Sequence, residues 1–102
     1  MGVLDNVFAE EYDRISRMID NISAEIESLP KGYVSKKKIN GNEYYYLQKR
    51  QGDKITFSYL VKEKVADYKT LIDRRRELEK QKRRLEKDKK KLSRVIGGED
   101  DK

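Results

Sequence analysis

YVSKKKINGNEYYYLQKRQGDKITFSYL, residues 33–60, decides the fold. Within it Asn40-Gly41 is a strong hairpin signal, because both residues tolerate the positive φ that a type I′ turn demands. The flanking runs, 33–39 and 42–50, carry strand formers, Tyr33, Val34 and Ile39 in the first and Tyr44, Tyr45 and Tyr46 in the second. Such residues suit a pleated, half-buried surface. A second turn signal follows at Gln51-Gly52-Asp53, and residues 54–60 read as a third strand. The expected element is a three-stranded antiparallel meander.

Register assigns the faces. A two-residue turn at Asn40-Gly41 sets Leu47 opposite Val34 and Tyr46 opposite Ser35. Taking Gln51-Gly52-Asp53 as a three-residue loop sets Leu47 opposite Phe57 and Tyr45 opposite Tyr59. One face then collects Val34, Tyr45, Leu47, Ile55, Phe57 and Tyr59 and reads as the core. The other collects Tyr33, Ser35, Lys37, Tyr44, Tyr46, Gln48, Arg50, Thr56 and Ser58. A second loop of two or four residues flips the third strand. The cleaner separation of apolar from polar residues favours three, and on that register Leu47→Ala and Phe57→Ala each cost about 2–5 kcal/mol.

Helical patterns flank the meander. Leu4, Phe8, Tyr12, Ile15, Ile19, Ile22, Ile26 and Leu29 recur at steps of four and three. That spacing predicts a helix over 5–29 with Asp5 or Asn6 as its cap. Pro30 and Gly32 end it. A longer helix is predicted over 62–96, ended by Gly97-Gly98. Its first turns carry Val65, Tyr68 and Ile72, suited to crossing the sheet's core face. Beyond them Leu71, Leu78, Leu85 and Leu92 recur every seven residues, but the companion positions are Arg75, Lys82 and Lys89. Half of a leucine seam is therefore missing. The acidic first helix supplies an alternative surface, packed antiparallel, over which Arg and Lys stems can lie.

The fold expected is therefore α+β: long helix, three-stranded antiparallel meander, longer basic helix, with the helices packed as an antiparallel coiled-coil-like pair. Residues 1–96 make a single domain, and 97–102 a flexible acidic tail.

Composition narrows function. The 102 residues include no histidine and no cysteine. That removes the commonest general base, the commonest transition-metal ligands and any disulfide. No glycine-rich phosphate loop precedes a helix. The chain reads as non-enzymatic, with no cofactor and no metal. No apolar run approaches the length of a membrane span, and no secretory leader precedes the first helix. A soluble, cytoplasmic protein with no membrane partner is expected.

Charge points to a partner. The net charge is +6, and it is uneven. Residues 1–31 carry seven carboxylates against three cations, whereas residues 62–94 carry fifteen cations against seven carboxylates. Tyr33, Lys37, Tyr44, Tyr46, Gln48 and Arg50 share the polar sheet face, where rings suit stacking on bases and cations suit phosphates. The alternative is cross-strand pairing of tyrosines with no ligand. On the second helix Arg74, Arg75, Lys82, Arg83 and Arg84 suit phosphate contacts. The alternative there is a solvated helix laced by Glu77, Glu79, Glu86 and Asp88.

The block LPKGYVSKKKINGNEYYYLQ, residues 29–48, followed by a third strand and a Lys/Glu-rich helix, resembles a family of small bacterial and archaeal domains with no established activity. The residues that carry the resemblance are Leu29-Pro30-Lys31-Gly32, Lys36-Lys37-Lys38, Gly41, Tyr44-Tyr45-Tyr46 and Tyr59, and it extends over roughly 29–80. Three strands followed by a helix is also similar, in architecture alone, to the arm-binding domains of transposon and phage integrases, which read DNA with the sheet. The function expected is a nucleic-acid-binding or accessory module. The alternative is a non-enzymatic coiled-coil interaction protein, either a homodimer through its helices or a binder of an acidic protein.

Overall fold

The structure is a computed structural model that describes residues 3–97. Helix α1 spans Val3–Ser28, strands β1, β2 and β3 span Tyr33–Ile39, Asn42–Gln51 and Lys54–Leu60, a 3-10 turn spans Lys62–Lys64, and helix α2 spans Val65–Gly97. The element order is the α+β order expected. The expected acidic tail lies outside the described residues beyond Gly97, the last residue of α2. Because α1 begins at Val3, Asp5 and Asn6 stand inside the helix and not at its cap.

The chain divides into two compact units. One holds Ser28–Glu77, and the other holds α1 up to Glu27 with α2 from Leu78 onward.

In the first unit the strands form one antiparallel sheet in the order β1-β2-β3. The β1–β2 register sets Leu47 opposite Val34, as expected. The turn between them has Asn40 at φ 52° and Gly41 at φ 83°. These are the left-handed pair of a type I′ turn. The β2–β3 register corrects the expectation. Gln51 pairs with Lys54, Gln48 with Phe57 and Tyr46 with Tyr59. The second loop is therefore Gly52-Asp53, two residues and not three. Gly52 has φ 63° in the first central position. A type II′ turn asks for glycine there. Primed two-residue turns match the right-handed twist of paired strands, and that local geometry outweighs the tidier separation of apolar residues.

One face of the sheet packs on the start of α2. Leu47 and Leu60 are buried with Val65 and Ile72, and Val34, Tyr45 and Tyr68 close around them. The crossing of α2 over this face through Val65, Tyr68 and Ile72 is as expected. The far end of the same face is polar, with Lys36 and Glu43 paired at 3.4 Å.

Gly32 precedes β1 at φ +105°, and a Cβ there would overlap the carbonyl oxygen of Gln48 in β2. Only glycine lets the entering chain lie this close to the middle strand. Nearby, Arg75 Nη1 donates to the Leu29 carbonyl oxygen at 2.7 Å, tying the Leu29-Pro30 segment to α2.

In the second unit the two helix segments pack antiparallel. Tyr12 and Ile19 line a groove with Glu86, Lys89 and Ser93, while Met18 and Ile22 line the next with Gln81, Leu85 and Asp88. Ascending numbers on one helix thus meet descending numbers on the other. Ile15, Ile26 and Leu78 are buried, Leu78 to 2% exposure. Lys82 and Lys89 hold half-buried places in this seam, and the Lys89 ammonium lies 5.2 Å from the centre of the Tyr12 ring. Lysine stems do here what a second row of leucines does in a symmetric seam.

Candidate nucleic-acid interface

Alternation along each strand, combined with the observed register, defines the second face of the sheet. It holds Tyr33, Ser35, Lys37 and Ile39 from β1, Asn42, Tyr44, Tyr46, Gln48 and Arg50 from β2, and Ile55, Phe57 and Tyr59 from β3. The six residues Tyr33, Lys37, Tyr44, Tyr46, Gln48 and Arg50, expected together from the sequence, do share this face. Ile55, Phe57 and Tyr59, expected in the core, join them. Thr56 and Ser58 move to the α2-facing side, where Thr56 Oγ1 donates to the Lys49 carbonyl oxygen at 3.5 Å. The signal that identifies the three added residues is Gly52 at the head of a two-residue turn.

This face is open. Phe57 is 46% exposed and Tyr59 60%, and Tyr33, Ile39 and Ile55 are also exposed. An open patch of large apolar side chains is informative in a way that a scattered exposed leucine is not. Its centre is ordered by ring geometry. Tyr46 meets Phe57 edge to face, with centroids 6.4 Å apart and planes at 90°, and meets Tyr59 at 6.1 Å and 75°. The Lys37 ammonium reaches across β2, 5.4 Å from the Tyr46 centroid and 4.1 Å from that of Phe57. One cation thus sits over two rings, held by their quadrupoles.

At one end of the face Tyr33, Gln48, Arg50 and Ile55, with Lys31 and Lys49, line a concavity of about 310 Å³. A ring, an amide and cations therefore surround one space large enough for a small planar group. Among the described residues no cluster of carboxylates is placed to hold a metal ion.

The helix residues expected to bind do not form one group. Arg74 and Arg75 belong to the sheet-containing unit, and Arg75 is half-buried with its guanidinium on Leu29. Lys82, Arg83 and Arg84 belong to the helical unit. There Lys82 lies half-buried in the seam, while Arg83 and Arg84 are exposed.

Residues 8–70 match the family described as "Domain of unknown function (DUF6788)". The chain belongs to that family. The DUF6788 match takes in α1 from Phe8, the whole meander and the first turns of α2, so it includes every residue of the open face. Arg74, Arg75, Lys82, Arg83 and Arg84 lie beyond it. Comparison with curated proteins and with solved structures gave no match. Among the described residues of this DUF6788 protein, no helix is long and apolar enough to cross a membrane.

Proposed function

We propose that this DUF6788 domain is a non-enzymatic nucleic-acid-binding module whose open sheet face stacks unpaired bases. The observation that carries the reading is the Tyr46–Phe57–Tyr59 ring cluster, with Phe57 and Tyr59 exposed and the Lys37 ammonium set over Tyr46 and Phe57. Aromatic rings on an open sheet offer bases a stacking platform, worth about 1–3 kcal/mol per base. A cation over an exposed ring contributes only about 0.5–1 kcal/mol. A base arriving on Phe57 therefore gains more than the lysine loses. The displaced ammonium is then free to take the adjoining phosphate. Gln48 and Arg50 provide hydrogen-bond donors for base edges and phosphates beside Tyr33. Bases inside a duplex are already stacked, so rings on a flat face favour single strands.

Ile39 and Ile55 favour a second reading, in which the face docks on a protein, since exposed aliphatic groups contribute little to stacking. The two readings separate in one titration. Fluorescence anisotropy with labelled single-stranded DNA and RNA should show binding that weakens about tenfold in Tyr59→Ala. Absence of binding to either strand at low salt sinks the nucleic-acid reading and leaves the protein-docking one.

A further inference from the structure

The outward surface of α2 in the helical unit is a second, separately built feature. The seam of that segment runs through Leu78, Lys82, Leu85, Lys89 and Leu92 at steps of four and three, all buried or half-buried. At about 100° per residue, Lys80, Arg83, Arg84, Lys87, Lys90, Lys91 and Arg94 then fall within an arc of about 120° on the opposite side. Between Leu78 and Arg94 every residue in that arc is Lys or Arg, and all seven are exposed, with Arg84 and Lys90 at the arc's edges also lining the grooves beside Met18 and Ile22 and beside Tyr12 and Ile19. Glu79, Glu86 and Asp88 lie outside the arc, on its flanks. Among the described residues none of the seven cations forms an ion pair. Glu79–Arg83, Arg84–Asp88 and Glu86–Lys90 stand at the i,i+4 spacing of a salt-bridge-laced helix, whereas Lys87 and Arg94 have no carboxylate three or four residues away, so seven cations face three flanking carboxylates and the stripe keeps a cation excess.

The geometry points to a phosphate-tracking surface: the outward face of α2 from Lys80 to Arg94 binds the sugar–phosphate backbone of nucleic acid without reading sequence. The choice of polymer rests on the nucleic-acid reading proposed above. The surface itself does not depend on the sheet. From Lys80 to Arg94 the stripe runs about 21 Å, at about 1.5 Å rise per residue. One DNA strand presents about six phosphates over that distance, at roughly 3.4 Å each. The seven cations, at steps of three and one, form a continuous positive band, and duplex DNA presents a continuous negative one, with about one phosphate per 1.7 Å of axis. An acidic protein surface has no such period.

Duplex DNA isolates this surface, because its bases offer no free faces to the sheet rings. Anisotropy titrations over a series of salt concentrations would compare the full chain with the triple variant Lys87→Gln, Lys90→Gln, Arg94→Gln and with Tyr59→Ala. Unchanged circular dichroism checks that each variant is folded. Each phosphate contact contributes about 0.9 to the slope of log K against log salt, so the triple variant should flatten that slope by about 2–3. Tyr59→Ala should leave duplex binding and its slope unchanged. An unaltered slope in the triple variant overturns the inference, as does poly-L-glutamate competing as well as DNA at equal charge. If the triple variant keeps its slope while Tyr59→Ala still weakens single-strand binding, the stripe fails and the sheet reading stands. If the slope flattens while Tyr59→Ala binds single strands normally, the stripe stands and the sheet reading fails.

Discussion

Gln51 and Lys54 pair directly across Gly52-Asp53, and that pairing places Phe57 on the open face of the sheet. One more residue in the turn would carry Phe57 and Tyr59 to the α2 side and bring Thr56 and Ser58 outward. A small feature of turn chemistry thereby decides whether the sheet exposes a ring cluster or a row of hydroxyls.

Stability measurements read this register. Leu60 is buried against Val65 and Ile72. Leu60→Ala should therefore cost about 2–5 kcal/mol in chemical denaturation. Phe57 is 46% exposed and holds mainly its edge contact to Tyr46 and the Lys37 cation. Phe57→Ala should cost about 1 kcal/mol. A Phe57→Ala loss as large as that of Leu60→Ala would restore the three-residue loop and return Phe57 to the core.

Gly32 is the second structural test. Any other residue there takes a left-handed backbone and drives its Cβ into the Gln48 carbonyl oxygen. Gly32→Ala should lower stability by about 2–4 kcal/mol, from backbone strain together with the displaced strand. Gly52→Ala should cost less, since a Cβ there meets open space and only the positive φ is strained. Equal melting temperatures for the two variants would mean that the chain entering β1 does not lie against β2.

Arg75 separates a structural cation from a binding one. Its guanidinium donates to the Leu29 carbonyl from a half-buried place. A charged hydrogen bond of this kind is worth about 1.5–3 kcal/mol. Arg75→Ala should therefore destabilise the fold while leaving the salt slope of DNA binding unchanged. A flattened slope with unchanged stability would assign Arg75 to the phosphate surface instead.

Much of this is legible in the sequence. Asn40-Gly41 fixes the first hairpin, and the spacing of Val65, Tyr68 and Ile72 marks the turns that cross the sheet. The group Tyr33, Lys37, Tyr44, Tyr46, Gln48 and Arg50 follows from the first register alone. The different placement of Ile55, Phe57 and Tyr59 has a definite cause. Apolar segregation arbitrates register where one face is buried and the other wet. Here both faces carry large apolar residues, so segregation carries little information and the glycine in the turn decides. The second helix misleads for a related reason. Charge runs such as Lys82-Arg83-Arg84 look like units in the sequence, but a helix sends Lys82 into the seam and the next two outward. The period of the outward stripe, and not the run, marks the exposed cations.

Acid titration tests a local feature of α1. Arg14 donates to the Glu11 carboxylate from Nε at 2.8 Å and from Nη2 at 2.6 Å. This hydrogen bonding, with the opposite charge, holds the Glu11 carboxyl below the usual carboxylate range. A depressed folded-state value adds stability above the unfolded value and loses it as pH falls through the folded one. The melting-temperature difference between the native chain and Glu11→Gln should therefore be constant from pH 7 down to the carboxylate range and vanish in stronger acid. A difference that persists at low pH would show that the pair contributes through packing and not through charge.

The central claim is that bases stack on the open face. The seven tyrosines provide its controls, because Tyr33, Tyr44, Tyr46 and Tyr59 lie on that face, Tyr45 and Tyr68 lie against the core, and Tyr12 lies in the helical unit. The measurement is aromatic proton–carbon NMR during titration with a short single-stranded oligonucleotide. Ring-current shifts on Tyr46, Phe57 and Tyr59, with Tyr45, Tyr68 and Tyr12 unmoved, are predicted. Binding that shifts lysine and arginine side chains but leaves those three rings in place would contradict the account.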